Sequence, residues 1–315
     1  MKELRIVFMG TPEFAVASLD RLLNAGYTVV GVITATDKPA GRGRKLQQSA
    51  VKKFAIEKKL PVLQPENLKS PEFLESLRQL RANLQVVVAF RMLPREVWSM
   101  PAFGTFNLHA SLLPDYRGAA PINWALINGE TKTGVTTFFI DDKIDTGAIL
   151  LQDVLETAPD ETAGELHDRL MHLGAALVVQ TVKLIAAGKA VPRPQQEAVD
   201  INPAPKLNKD TCRIRWTQPR KQVYNLIRGL SPYPAAWTVL QNGQDSVELK
   251  IYSARPVVAQ HKLKPGKIVT DGGEMKVAVQ DGYLELLEIQ LAGKRRLSVK
   301  EVLNGLKLDE NAHMS

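Results

Sequence analysis

The amino-acid sequence predicts an α/β protein: a doubly wound, Rossmann-like domain with a parallel sheet, followed by a small C-terminal β-barrel domain of the OB-like kind. Three observations lead to this fold class. Strand-like apolar runs alternate with helical patterns up to residue 187, four prolines follow within 188–209, and short alternating segments occupy the rest. A chain of 315 residues also exceeds what one core usually organises, so two domains are expected.

The first elements predicted are a strand over 4–10, a helix, and a second strand over 28–34. Thr11 and Pro12 indicate the start of the helix, because threonine caps helices and proline suits their first position. Gly26 is the residue type expected at a left-handed helix end. Strand, helix and strand within about thirty residues form a βαβ unit, whose two strands pair in parallel.

The same alternation continues along the first domain. The patterns predict helices over 49–59, 71–82 and 162–187, and strands over 61–63, 85–90, 104–109 and 134–140. Ligands of doubly wound sheets bind beyond the carboxyl ends of the strands, where the strand order reverses. The first domain is therefore predicted to span 1–189 and to carry its site at that edge of the sheet.

Prolines and weak periodicity predict a linker over 190–209, and the second domain is predicted over 210–315. One helix is expected near 218–229. Alternating segments separated by glycine-containing turns are typical of a small β-barrel, and they lie at 247–254, 267–270, 275–280 and 283–290.

Composition excludes several classes of protein. The single cysteine, Cys212, excludes an internal disulfide, and the five scattered histidines indicate no zinc site, so no metal is expected. Neither a signal peptide nor a run of about 18 apolar residues is found, so we expect a cytoplasmic protein without a membrane partner. We also expect a monomer.

The net charge of +8 is unevenly distributed. Residues 1–189 hold 22 Lys and Arg against 20 Asp and Glu, whereas residues 190–315 hold 19 against 13. Clustered basic residues attract phosphates, which indicates an anionic partner for the second domain. Moderate basicity that merely aids solubility fits the charge equally well.

Asn107 and His109 stand two residues apart in a predicted strand, so their side chains share one face. An amide can donate to an oxygen that gains charge, and an imidazole can donate to the same oxygen or move a proton. Polar side chains at strand ends more often bond nearby backbone, so the pair alone is weak evidence. Asp145, in the acidic loop 141–147, could return to the sheet edge and orient the imidazole, or could only form a turn.

Four motifs, taken together, resemble a known family. They are MGTPEFAVASL at 9–19, TDKPAGRGRKL at 36–46, FNLHASLLPDYRGAAPIN at 106–123 and IDTG at 144–147. In order and spacing they resemble the methionyl-tRNA formyltransferases over nearly the whole chain. The Asn-His core and the downstream Asp are shared with formyltransferases for glycinamide ribonucleotide or amino sugars. The core therefore indicates the reaction class, and the other motifs indicate the substrate.

The resemblance implies transfer of a formyl group from 10-formyltetrahydrofolate to the amino group of methionyl initiator tRNA, in support of translation initiation. Asn107 and His109 would stabilise the oxyanion, and Asp145 would set the state of His109 and help to relay the proton. Folate contacts are implied for Phe90, Arg91, Leu93, Ser111, Leu112, Leu113 and Pro114. Contacts with tRNA are implied for Lys38, Arg42, Arg44, Lys45, Lys206 and Arg213. Arg91 stands where the family has glycine, in a segment one residue shorter than usual.

Two other functions fit parts of the sequence. A formyltransferase for a sugar nucleotide or glycinamide ribonucleotide would use the same three residues on a small amine. The basic segment over 36–49 and the basic second domain weigh against it. A non-enzymatic RNA-binding protein with a degenerate Rossmann-like domain is the other alternative, and the retained Asn107, His109 and Asp145 weigh against that.

Overall fold

The computed structural model describes residues 2–40, 45–196 and 200–315. Two compact units are present. The first comprises Met1–Gly118, Lys132–Glu156 and His167–Pro203, and the second comprises Ala119–Thr131, Thr157–Leu166 and Ala204–Ser315. Each unit thus collects segments that are separated in the sequence. The linear division into a domain over 1–189, a linker and a domain over 210–315 stays a prediction.

The helices and strands follow one another in the order that the α/β pattern indicates. The first part of the chain contains β1 (Arg5–Gly10), α1 (Glu13–Asn24), β2 (Thr28–Ile33), β3 (Lys38–Ala40), β4 (Lys45–Gln47), α2 (Ala50–Glu57), β5 (Val62–Leu63), α3 (Pro71–Gln79), β6 (Leu84–Val88), α4 (Arg95–Trp98), β7 (Thr105–His109), α5 (Pro121–Ile127), β8 (Lys132–Phe139), β9 (Ile149–Glu156) and α6 (Ala163–Ala186). The remainder contains α7 (Arg220–Leu230), β10 (Ala236–Asn242), β11 (Asp245–Val258), β12 (Ile268–Asp271), β13 (Glu274–Val279), β14 (Gly282–Leu291), β15 (Leu297–Ser298), α8 (Val299–Leu303) and β16 (His313–Met314).

The first unit is built on a seven-stranded sheet in the order β5-β2-β1-β6-β7-β8-β9. The strands from β5 to β7 pair in parallel, which confirms the predicted α/β class. The sheet is mixed rather than wholly parallel, because β8 runs antiparallel to both β7 and the unpredicted β9. Antiparallel neighbours need no crossover helix, so the short loop from β8 to β9 suffices to join them. The strand order reverses between β1 and β6, and β7 follows β6 in the sheet.

The first helix ends as predicted but begins later. Gly26 has φ +79°, and its N–H donates to the Leu23 carbonyl, so it forms the left-handed helix end. The prediction that Thr11 caps α1 is wrong. Pro12 is the cap residue, without a side-chain hydrogen bond, and the helix begins at Glu13. The extended backbone of Pro12 carries the chain from β1 directly into the helix.

Two segments near the carboxyl edge of the sheet differ from the prediction. The strand predicted over 85–90 ends at Val88, because Ala89 has φ +48° and turns the chain away. The segment over 36–49, for which the sequence analysis predicts no strand, contains β3 and β4, which pair as an antiparallel ribbon. Residues 41–44, which join these two strands, lie outside the described residues.

The second unit contains an antiparallel sheet in the order β12-β13-β14-β11-β10-β16. Register shifts in β11 beside Ser253 bend this long strand, as bulges do. Lys267, the residue before β12, forms an isolated bridge with His313 of β16, so the two ends of the sheet approach each other and the sheet curls into a barrel with little pairing at its seam. The predicted C-terminal β-barrel is confirmed in this partly open form. Cys212 is buried in its core, and burial raises the pKa of this thiol.

Among the described residues, one helix is long and apolar enough to cross a membrane, namely α6, with a mean hydropathy of 1.3 over the apolar window. Half of that window is buried within the protein. A Cβ added to Gly174 of this helix would lie 2.7 Å from Leu108 Cδ2, so α6 packs closely on β7. The helix therefore covers one face of β7 and leaves the opposite face to Asn107 and His109.

Candidate active site

Asn107 and His109 lie at the carboxyl end of β7 with their side chains on the same face, as the period of two predicts. Asn107 is half-buried, and no hydrogen bond to its side-chain amide occurs within the described residues. His109 is only 7% exposed. One amide donor is therefore free for a ligand, beside an imidazole that the protein encloses.

The imidazole of His109 is held between a carbonyl and a carboxylate. Its Nε2 lies 2.8 Å from the Tyr116 carbonyl oxygen. Because a carbonyl only accepts hydrogen bonds, Nε2 carries a proton. Nδ1 faces Asp145 Oδ2 at 3.8 Å, which is beyond hydrogen-bond range but close enough for electrostatic contact. The ring is thus oriented by one hydrogen bond and one nearby acid.

Of the three acids in the loop between β8 and β9, only Asp145 reaches His109. Asp141 accepts hydrogen bonds from Thr146 Oγ1 at 2.8 Å and from the Lys143 N–H at 3.0 Å, so it forms the turn. Asp142 is exposed. Asp145 has φ +55°, and its Oδ2 also accepts from the Gly118 N–H at 3.0 Å. The carboxylate therefore links the loop after β8 to the loop after β7.

A buried threonine supports the loop that follows His109. Thr136 Oγ1 donates to the Ser111 carbonyl at 2.7 Å and accepts from the Leu113 N–H at 3.1 Å. Gln152 Nε2 donates to Thr136 Oγ1 at 3.0 Å and to the Leu113 carbonyl at 2.9 Å. Within the loop, Ser111 Oγ donates to the Asp115 carbonyl at 2.6 Å. These bonds fix the backbone that leads from His109 to Tyr116.

Replacing Thr136 by valine should lower the free energy of unfolding by about 2 kcal/mol, because the change keeps the volume but leaves buried polar groups of the loop without their partner. Chemical denaturation measures the effect. Thr270→Val, on an exposed strand position, is the matched control and should change stability little. A Thr136→Val protein as stable as the wild type would show that the loop backbone does not depend on this hydroxyl.

The predicted folate residues divide into two groups by exposure. Ser111, Leu93 and Leu113 have buried side chains, so only their backbone groups could meet a ligand. Leu112, Phe90 and Pro114 are half-buried and Arg91 is exposed. Arg91 donates to the carbonyls of Pro65 and Glu66, the latter at 2.9 Å, and thus ties the segment after β6 to the loop after β5. No group of three potential metal ligands occurs in the described ranges.

The predicted tRNA residues in the described parts of the chain are exposed. Lys38 lies at the start of β3, and its neighbour Asp37 accepts from Lys52 Nζ at 2.5 Å. The hydrogen bond from Lys52 lowers the pKa of Asp37, so this acid stays ionised and paired. Arg42 and Arg44 lie outside the described residues, as does the side chain of Lys45.

In the second unit, Lys206 and Arg213 are exposed. The Arg213 guanidinium lies 5.3 Å from the centre of the Trp237 ring, and Lys209 Nζ lies 4.7 Å from it. Cations over an aromatic face are held by the ring quadrupole. Arg213 and Lys209 are therefore organised around one ring.

Sequence reasoning missed Gln195, which lies in the segment predicted as a linker. Its Oε1 accepts from Arg117 at 2.6 Å and its Nε2 donates to the Asp145 carbonyl at 2.9 Å. No local pattern marks a glutamine in a proline-rich segment, and the partners are far away in the sequence. The Arg117 side chain, in the loop after β7, is therefore bound to Gln195 within the protein.

Comparison with known proteins relates the whole chain to one group of enzymes. A family model described as formyl transferase matches residues 4–182, and one described as formyl transferase, C-terminal domain, matches residues 206–307. The chain is 56% identical over 312 residues to the methionyl-tRNA formyltransferase of Flavobacterium johnsoniae, with 99% of each chain covered. This identity extends over both units.

Solved structures show the same fold at lower identity. HypX from Aquifex aeolicus, in complex with tetrahydrofolic acid, matches with a TM-score of 0.66 at 18% identity, covering 98% of this chain and 49% of HypX. The N-formyltransferase from Helicobacter canadensis, in complex with folinic acid and dTDP-3-aminofucose, matches with a TM-score of 0.65 at 18% identity. That match covers 94% of this chain and 100% of the other. At such identity these likenesses concern the fold alone.

Proposed function

The chain belongs to the methionyl-tRNA formyltransferase family, and from that premise we propose that Asn107, His109 and Asp145 carry its transfer of a formyl group to methionyl-tRNA. The observation that supports this assignment is their arrangement at one sheet edge. Asn107 and His109 share one face of β7, and Asp145 Oδ2 lies 3.8 Å from His109 Nδ1. An amide, an imidazole and a carboxylate suffice for acyl transfer without a covalent enzyme intermediate.

When bound, 10-formyltetrahydrofolate supplies the formyl carbon that the amine attacks, and its N10 leaves as the bond to that carbon breaks. Asn107 donates its side-chain N–H to the formyl oxygen while that oxygen gains negative charge. His109 can join it there by exchanging its hydrogen bond to the Tyr116 carbonyl for one to the formyl oxygen. The two donors favour the transition state over the bound substrates.

Formyl transfer also requires that the attacking amine lose one proton and that N10 gain one. His109 can take and return that proton at Nδ1, because Nε2 already carries a proton and the lone pair of the neutral imidazole is on Nδ1. Asp145 faces Nδ1, so it orients the ring and stabilises positive charge on it. The carboxylate itself stays bound to the Gly118 N–H during this relay.

Groups around these three residues would bind the two substrates. The folate would contact the segments 90–94 and 111–114, where Phe90, Leu112 and Pro114 are half-buried and Arg91 is exposed. The tRNA would contact Lys38 with Arg42, Arg44 and Lys45, and also Lys206 and Arg213, through its phosphates. We also propose that the protein is a cytoplasmic monomer that acts on initiator tRNA.

The decisive experiment offers 10-formyltetrahydrofolate with methionyl initiator tRNA and, separately, with glycinamide ribonucleotide and an amino-sugar nucleotide. We expect N-formyl product with the tRNA and none above background with the two small amines, because the basic loop and second unit would contribute binding only to the tRNA. Product detected by mass spectrometry distinguishes the three acceptors. Efficient formylation of a small amine without formylation of methionyl-tRNA would contradict the proposal.

A further inference from the structure

Gln195 lies outside both loops of the proposed active site, yet its side chain joins them. Arg117 Nε and Nη2, in the loop after β7, donate to Gln195 Oε1 at 3.1 and 2.6 Å. Gln195 Nε2 donates to the backbone carbonyls of Asp145 and Gly147, each at 2.9 Å, in the loop after β8. One amide therefore makes four hydrogen bonds and connects the two loops.

Chemistry fixes the orientation of this amide. A guanidinium only donates and a carbonyl only accepts, so the oxygen of Gln195 must face Arg117 and its nitrogen must face the carbonyls. The backbone nearby is also anchored. Arg193 exchanges two hydrogen bonds with Ile149 of β9, at 2.7 and 2.8 Å, so this segment lies along the edge of the sheet. Gln195 is consequently held by its side chain, two residues beyond this backbone anchor.

The bond to the Asp145 carbonyl bears directly on the acid of the site. Asp145 has φ +55°, a left-handed conformation that is uncommon for residues other than glycine, although Asp and Asn adopt it more readily than most. Gln195 fixes the peptide that follows Asp145 and, with it, the direction in which the side chain leaves the backbone. That side chain points its Oδ2 toward His109 Nδ1.

We infer that Gln195 is a positioning residue for formyl transfer, which holds the Asp145 carboxylate toward His109 by fixing the peptide of Asp145. The inference rests on the proposed function, since it requires that Asp145 act on His109 during turnover. The proline-rich segment would then contribute to the chemical step, in addition to its predicted role as a linker. Substitution of Gln195 should therefore lower kcat and leave substrate affinity unchanged.

The test compares Gln195→Ala and Gln195→Glu with the neighbouring exposed Gln196→Ala as the control. We expect Gln195→Ala to lower kcat about tenfold, with KM for 10-formyltetrahydrofolate and for the tRNA changed less than about twofold. Gln195→Glu keeps an acceptor for Arg117, which supports folding, but it sets a carboxylate against two carbonyls, so kcat should fall at least as much. Gln196→Ala should match the wild type, and thermal unfolding should show every variant folded.

A double variant separates positioning from general loosening of the loops. If Gln195 acts through Asp145, adding Gln195→Ala to the Asp145→Asn variant should lower kcat by a further factor of less than about two. A full tenfold loss in that background would overturn the inference. So would a raised KM for the tRNA with unchanged kcat, because the residue would then serve binding.

The same assay distinguishes failure of the inference from failure of the proposed function. A wild-type protein that forms no formyl-methionyl-tRNA contradicts the proposed function itself. An active wild type, with kcat of both Gln195 variants within about twofold of its own, overturns only the positioning role.

Discussion

Alanine at either Asn107 or His109 should lower turnover at least about a hundredfold while the protein stays folded, since loss of one oxyanion donor typically costs about 2.7–4 kcal/mol. For Asn107 the structural cost is small, because no hydrogen bond to its amide occurs within the described residues. For His109 the substitution also removes the hydrogen bond from Nε2 to the Tyr116 carbonyl. The loss should therefore appear in kcat measured at saturating substrates.

The control for this pair is His172→Ala, at an exposed position of α6. It should retain wild-type kcat, and thermal unfolding should separate lost chemistry from lost structure. A folded His109→Ala protein with near wild-type turnover would remove His109 from the mechanism. For Asn107, an unchanged kcat with a raised KM for the folate would indicate that the amide serves binding alone.

The features of the fold and of the site that could be predicted from the sequence are those set by local geometry. Alternation along a strand puts Asn107 and His109 on one face, whatever the rest of the chain does. Gly26 ends α1 because few other residue types adopt its backbone conformation. The assignment of Asp145 among the three acids is less local, because it rests on the IDTG motif at 144–147 and on the resemblance to known formyltransferases.

The features that could not be predicted from the sequence depend on which distant segments of the chain come into contact. The antiparallel direction of β8 and β9 follows from how the loops connect the strands, and the apolar patterns of the strands do not encode it. Arg91, which stands where the family has glycine, bonds carbonyls 25 and 26 positions away. Gln195 bonds Arg117 across 78 positions. Periodicity cannot reveal such contacts, because each depends on tertiary packing.

Asparagine at position 145 should lower turnover at least about a hundredfold, although it conserves nearly every contact of the aspartate. Asn tolerates the left-handed backbone of this position as well as Asp does. Its amide oxygen can keep the bond from the Gly118 N–H, at the place where Asp145 Oδ2 also faces His109. What the substitution removes is the negative charge beside the imidazole, and kcat measures that loss.

Two further variants show whether charge or structure is lost at this position. Asp142→Asn removes an exposed acid of the same loop and should leave kcat unchanged. Asp145→Ala removes the acceptor for the Gly118 N–H as well as the charge, so it should also lower the melting temperature, whereas Asp145→Asn should not. If Asp145→Asn kept wild-type turnover while Asp145→Ala lost it, the carboxylate would serve only to hold the two loops together. A loss of turnover in both variants, with stability lost only in the alanine protein, assigns the catalytic effect to the charge that faces His109.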